Sequence, residues 1–258
     1  MNPLAKWIFR LLMLGAWLAP LSSQAAALFP DEVELGYSHA SLDKGYSGWS
    51  SIYLDGSHRF GERHSIYGEL RQTKRFDLRD REISAGYYQP LNETWTALVE
   101  ASYSPDHNVL PQSSLFGQLQ KAFDGGWDVQ AGLRRNTYTA ISSNLMVLTG
   151  ERYWGNYRAA YKLYLGKLQG SGTAPSHNVQ ISYYYAARDN ITLNFAKGRQ
   201  VESLGQALGV LPIDVTRTSL SGRHWLNSSW ALSYEAVVES QGNLYTRKGF
   251  RLGLRYAY

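Results

Sequence analysis

Phe250-Arg-Leu-Gly-Leu-Arg-Tyr-Ala-Tyr258 is written in strict alternation. Phe250, Leu252, Leu254, Tyr256 and Tyr258 share one register, and Arg251, Gly253, Arg255 and Ala257 share the other. Successive side chains of a β-strand leave opposite faces, so one face is apolar to its last residue while the other carries two guanidinium groups. Such a strand needs an apolar medium on one side and a polar one on the other. The closing strand of a soluble sandwich meets that demand, and so does a stave of a barrel with lipid outside and water inside.

The same alternation recurs along the chain. Val33-Leu35-Tyr37, Ile66-Gly68-Leu70, Ile83-Ala85-Tyr87, Trp95-Ala97-Val99-Ala101-Tyr103 and Trp127-Val129-Ala131-Leu133 each oppose a polar or small register. Tyr157 to Leu165, Val179 to Tyr185, Ile191 to Phe195 and Trp230 to Val238 repeat it in the second half. Less regular strands fall near 50–59, 113–123, 144–153 and 213–224. No segment after the first 27 residues shows apolar spacing of helical period.

Short turn signals occur at 61–63, 90–93, 124–126, 155–156, 188–190 and 226–228. Between them lie mostly longer polar or Gly-rich connections: Ser41–Gly48, Ser104–Gln112, Gln169–Ser176, Val201–Pro212 and Ser240–Arg247. One connection and two strands of roughly ten residues fit between successive short turns, as a transmembrane hairpin requires. The expected architecture is an all-β, antiparallel, up-and-down transmembrane barrel of about 14 strands, or 12 if one weak pair is misread. An even number puts both termini and the tight turns on the periplasmic side. Trp95, Trp127, Trp154, Trp225 and Trp230 all stand beside tight turns, as an aromatic girdle at one membrane interface would.

Composition agrees with export. Lys6 and Arg10, the apolar run Leu11 to Leu21 and the small residues Ser23 to Ala27 have the build of a secretory signal, with residues 1–25 removed and 26–258 forming the barrel. There is no cysteine, so no disulfide supports the exported chain. Mean hydropathy of −0.35 excludes a helical membrane protein. Twenty-six Lys and Arg against 21 Asp and Glu are too balanced for a nucleic-acid binder.

The register that sends apolar side chains to lipid sends charges inward. Glu69, Arg71, Glu100, Arg134, Arg158, Lys162, Arg217, Arg223, Glu235, Arg251 and Arg255 are the lumen candidates, with Glu34, Glu82, Asp128 and Glu239 beside them. A midplane Arg or Lys facing lipid would cost about 2–4 kcal/mol, so the lumen must hold them. The mixed signs favour a network that plugs and stiffens the barrel; a polar passage is the alternative. Among enzyme constellations, Asp106-His107, Ser57-His58 and His39-Ala40-Ser41 offer pairs without a third member, and polar strand-end or loop residues explain them better. No metal-ligand cluster is present, the turn read at Lys197-Gly198-Arg199 is no phosphate loop, and no cofactor or catalytic residue is expected.

Arg251, Gly253, Tyr256 and Tyr258 resemble the C-terminal signal by which outer-membrane barrels are recognised for assembly. Ser221 to Glu235 and Leu244 to Arg255 resemble the end of a YaiO-type outer-membrane β-barrel, and Lys197 to Glu202 is similar to an earlier segment of that family. The resemblance implies a non-enzymatic barrel of the Gram-negative outer membrane, porin-like and sometimes associated with polysaccharide or biofilm systems of the cell envelope. Its expected partners are outer-membrane lipids, the barrel assembly machinery and a surface glycan. A closed structural or receptor barrel acting through its outer loops, Val201–Pro212 above all, is the competing expectation, and an outer-membrane lipase or protease a distant third.

Overall fold

The computed structural model describes residues 30–186, 188–203 and 209–258; the expected signal segment and the tip of the Val201–Pro212 connection lie outside them. Fourteen strands run β1 (Glu32–Leu42), β2 (Trp49–Arg59), β3 (Ser65–Arg75), β4 (Leu78–Pro90), β5 (Trp95–Tyr103), β6 (Ser113–Phe123) and β7 (Trp127–Thr137), followed by β8 (Ser142–Trp154), β9 (Tyr157–Leu168), β10 (Thr173–Tyr184), β11 (Asn190–Ser203), β12 (Val210–Trp225), β13 (Trp230–Gln241) and β14 (Tyr245–Ala257). Each pairs antiparallel with the next, and β1 pairs with β14, so the sheet closes with no free edge. Closure satisfies every ladder without water, the condition for strands to span hydrocarbon.

The barrel inverts a soluble core. Many of its large apolar side chains are exposed, among them Leu133 (66%), Leu115 (59%) and Val99 (56%), whereas its buried polar ones include Glu34 (1%) and Asp80 (2%). A continuous apolar belt of this extent is untenable in water and natural in lipid.

At the end holding the termini the aromatics touch one another around the outside. Trp154 meets Tyr157, Tyr157 meets Tyr183, Tyr183 meets Tyr185, and Trp230 meets Tyr256, with ring centroids 6.0, 5.0, 6.1 and 4.8 Å apart. Trp95 and Trp127 carry the cations Lys121 and Arg152 over their rings. Trp225 does not belong to this girdle. It shares the register of Arg223, and the Arg188 guanidinium lies 3.3 Å from its ring centroid inside the mouth. Position beside a tight turn was the sequence signal; strand parity, which turns Trp225 inward, overrides it.

The far end differs from expectation in one respect. Val201–Pro212 is not a long loop: Val201 pairs with Pro212 and Ser203 with Val210, so β11 and β12 continue into it, and Lys197-Gly198-Arg199 is strand rather than turn. Gly198, Gly209 and Pro212 read as breakers, but strands projecting past the hydrocarbon need no strict alternation to remain paired. The other connections there are short as well, down to Phe76-Asp77 between β3 and β4, apart from Ser104–Gln112.

Candidate functional site

The charged candidates converge inside the barrel in ion pairs. Arg255 reaches Glu34 at 2.7 Å and also pairs with Glu32, while Arg223 approaches Glu32 at 3.9 Å. Arg251 donates from Nε to the Tyr53 hydroxyl at 2.8 Å, and that hydroxyl donates to Glu34 at 2.7 Å. Arg217 bridges Glu235 at 2.6 Å and Glu239 at 3.3 Å, and Arg247 meets Glu239 at 2.8 Å. Across the lumen Arg134 pairs with Glu100 at 2.8 Å, Arg71 with Glu69 at 2.5 Å, and Arg158 with Glu151. Lys162 follows the inward register of β9, beside Asn178 and Thr149 on its neighbours. Tertiary packing thus brings together two subsets of the candidates: one along β12–β14 and β1, the other along β3–β9.

Several participants escaped the sequence reading. Glu32 lies one residue before the alternating run of β1, Glu151 lies on the irregular strand β8, and Arg75 and Arg247 stand at strand ends among residues read as connections. Parity extended by one or two residues would have found each.

One cavity of about 880 Å³ runs along the β8–β14 side. It is lined on β11 from Asn190 at one end to Glu202 near the other, and on β14 from Arg247 to Arg255. Between Arg217 and Arg223 its β10–β12 wall presents neutral hydrogen-bonding groups, Asn178, Gln180, Thr192, Asn194, Ser219 and Ser221. Six inward-facing arginines stand around the cavity, Arg75, Arg217, Arg223, Arg247, Arg251 and Arg255, against four glutamates, so the lining is electropositive despite the pairing. Arg247, Arg251 and Arg255 recur every fourth residue on one strand face and form a ladder along it.

Two inserts narrow the far mouth. Trp49, Tyr245, Ile213 and Ala40 form a buried cluster with Tyr46, Phe76 and Leu211 packed on it. The guanidinium groups of Arg75 and Arg247 lie 4.5 and 4.7 Å from the Trp49 ring centroid. On the β4–β6 side the Ser104–Gln112 loop folds inward, burying Val109 and Leu110. Asp80 holds it there: Oδ2 accepts the N–H of Val109 at 2.7 Å and of Leu110 at 2.8 Å, and Oδ1 accepts that of Asn108 at 2.7 Å. The cavity reaches this end where Asn136, Ser143 and Ala174 line it.

The histidine pairs assemble no catalytic group. Asp106 accepts two hydrogen bonds from Arg81 at 2.7 and 3.1 Å, and His107 Nδ1 faces the carbonyls of Ser104 and Pro105. His39 lies on the outer face against Phe250, and the Ser41 hydroxyl meets the Lys248 carbonyl. Ser57 and His58 point to opposite faces, His58 meeting Asp31 at 2.5 Å. No group of three metal-ligating side chains occurs among the described residues.

A closed, lipid-facing barrel of 14 antiparallel strands around a charged lumen is an outer-membrane β-barrel of porin type. The chain belongs to the family of the YaiO membrane β-barrel domain, which it matches over residues 30–202. The match includes Lys197 to Glu202 but ends before the two C-terminal segments on which the sequence resemblance chiefly rested. Among solved structures, the chain is similar to the outer-membrane expressed OmpT of Vibrio cholerae (10% identity, 93% of this chain and 100% of that one, TM-score 0.50). It is also similar to OmpF of Salmonella typhi in complex with daunomycin (8% identity, 89% and 97%, TM-score 0.50). An anion-selective porin from Comamonas acidovorans aligns at 11% identity over 89% of this chain and 99% of that one, with a TM-score of 0.49. At these identities the likeness is one of fold. No curated protein matches the chain.

Proposed function

We propose that this protein, exported through a cleaved signal peptide, is a non-enzymatic outer-membrane conduit that passes or organises a hydroxyl-rich, anionic surface glycan. The observation that carries this is the cavity whose lining runs from Asn190 to Glu202 on a single strand, with arginines in excess over glutamates. Amide and hydroxyl side chains suit sugar hydroxyls, and a planar guanidinium suits a carboxylate or phosphate by paired hydrogen bonds. The other lumen candidates form ion pairs, Arg71 with Glu69, Arg134 with Glu100 and Arg158 with Glu151, that stiffen the β3–β9 wall, with Lys162 beside Asn178 and Thr149 on it.

The test is planar-bilayer conductance with a salt gradient. The expected result is anion preference, current block by an oligouronate, and reduced preference in Arg223→Glu. Correctly folded protein that leaves the bilayer silent, or that conducts with no anion preference, would sink the proposal.

A second reading, a closed structural or receptor barrel, is favoured by the aromatic cluster around Trp49 at the outer mouth. It predicts silent bilayers for the correctly folded parent protein.

A further inference from the structure

Around the outer mouth most outward-facing cations with an acid nearby are neutralised by it. Lys74 meets Asp77 at 2.7 Å, Arg81 meets Asp106 at 2.7 Å, and Arg199 approaches Asp214 at 3.6 Å. Arg135 and Lys167 differ. Both are exposed, both occupy the lipid-facing register of their strands, and neither has an acidic or hydrogen-bonding side-chain partner among the described residues.

The two stand in one row. Arg135 on β7 pairs in register with Asn144 on β8, and Asn144 pairs with Lys167 on β9. Two strand spacings place the backbones under the cations about 10 Å apart, with an amide between them. Directly toward the membrane lies a second row, Leu133, Met146 and Leu165, also joined in register. Leu133 is 66% exposed and Met146 38%, so this row is the upper edge of the apolar belt. Of the other outward lysines near this mouth, Lys74 stands in register with Arg79 but is neutralised by Asp77, whereas Lys197 pairs with His177 and Thr216 and Lys248 with Ser41 and Val238.

The geometry points to a binding site on the outer wall at β7–β9 for an acylated saccharide carrying two phosphates. Arg135 and Lys167 would take the phosphates, Asn144 a sugar hydroxyl or amide, and the Leu133–Met146–Leu165 row the first carbons of the acyl chains. Cations placed where the hydrocarbon ends are suited to this, because the apolar face beside them excludes water from one side of the ion pair.

Native mass spectrometry of the detergent-solubilised barrel tests it, with a bisphosphorylated hexa-acyl disaccharide lipid as probe. The counterpart lipid lacking both phosphates and inorganic phosphate alone are the comparison arms. The bisphosphorylated lipid should remain bound, and its affinity should fall at least about tenfold in Arg135→Glu/Lys167→Glu and less in Arg135→Gln/Lys167→Gln. Lys121→Glu, at the opposite rim, should leave it unchanged. Retention of folding is read from the compact electrophoretic form before heating. Equal binding of the dephosphorylated lipid, full displacement by millimolar inorganic phosphate, or undiminished binding by the folded double variants would overturn the proposal.

Discussion

The ring of Tyr53 occupies the space that a side chain on Gly36 would take: an added Cβ would overlap its Cζ and hydroxyl. Gly36 is the register partner of Gly253 at the β1–β14 closure, and the Tyr53 hydroxyl joins Glu34 of β1 to Arg251 of β14. A ring from β2 therefore fastens the seam where the first strand meets the last, and it can do so only over glycine. Tyr67 uses Gly86 in the same way on β3 and β4.

Gly36→Val should accordingly destabilise the closed barrel by about 1–3 kcal/mol, the usual cost of forcing extra carbons into a filled space. Loss of the compact electrophoretic form at a lower temperature or urea concentration is the readout. Tyr53→Phe keeps the ring but leaves Glu34 and Arg251 without its hydroxyl, and should cost about 1–3 kcal/mol.

Asp80 holds the inward Ser104–Gln112 loop through three backbone N–H groups and the Asn108 amide. Asp80→Ala should free the loop, so that limited proteolysis from outside cuts near Val109 in the variant and not in the parent. Unchanged cleavage would show that Val109 and Leu110 hold the loop by burial alone.

The same loop has a pH dependence. Hydrogen bonding and attraction from Arg81 hold the Asp106 carboxyl below the ordinary carboxylate range. A carboxylate depressed in the folded state stabilises fully above its unfolded pKa of about 3.9 and loses that contribution as pH falls through the lower, folded value. Protease resistance of the loop should therefore persist at pH 5 and weaken only below about pH 4; in Arg81→Ala resistance should be lower already at neutral pH and this pH dependence should be lost.

Trp49 is the centre of the aromatic cluster at the outer mouth. If the barrel conducts, Trp49→Ala should raise single-channel conductance by removing a large ring and releasing the two arginines over it. Conductance that stays the same would place the constriction elsewhere, with Arg188 at the opposite mouth the next residue to change.

Glu239 is 5% exposed and is shared by Arg217 and Arg247. Glu239→Gln removes one negative charge from between two guanidinium groups and should strengthen anion preference in the bilayer. It should also cost stability, because breaking a buried pair leaves uncompensated charge behind, typically about 3–5 kcal/mol when nothing else relaxes. Both effects are read on one protein, by reversal potential and by heat denaturation.

The closing strand shows how far the sequence carries. From Phe250 to Tyr258 alone, alternation put Leu252 and Leu254 on one face and Arg251 and Arg255 on the other; repeated along the chain and combined with the short turns, it pointed to a barrel of about 14 strands, with 12 the alternative, and to its tight-turn end. Alternation is a property of neighbouring residues, so no partner strand is needed to read it. The same rule, followed through Trp225, would have removed that residue from the girdle. What only the tertiary structure decided is which charges meet. Arg188 reaches Glu32 across the mouth, Trp49 packs with Ile213 and Tyr245, and Tyr53 covers Gly36 and meets Arg251, because closing a sheet on itself places distant parts of the chain on opposite sides of one narrow lumen. Register and shear set those contacts, and neither is written in the period of any one strand.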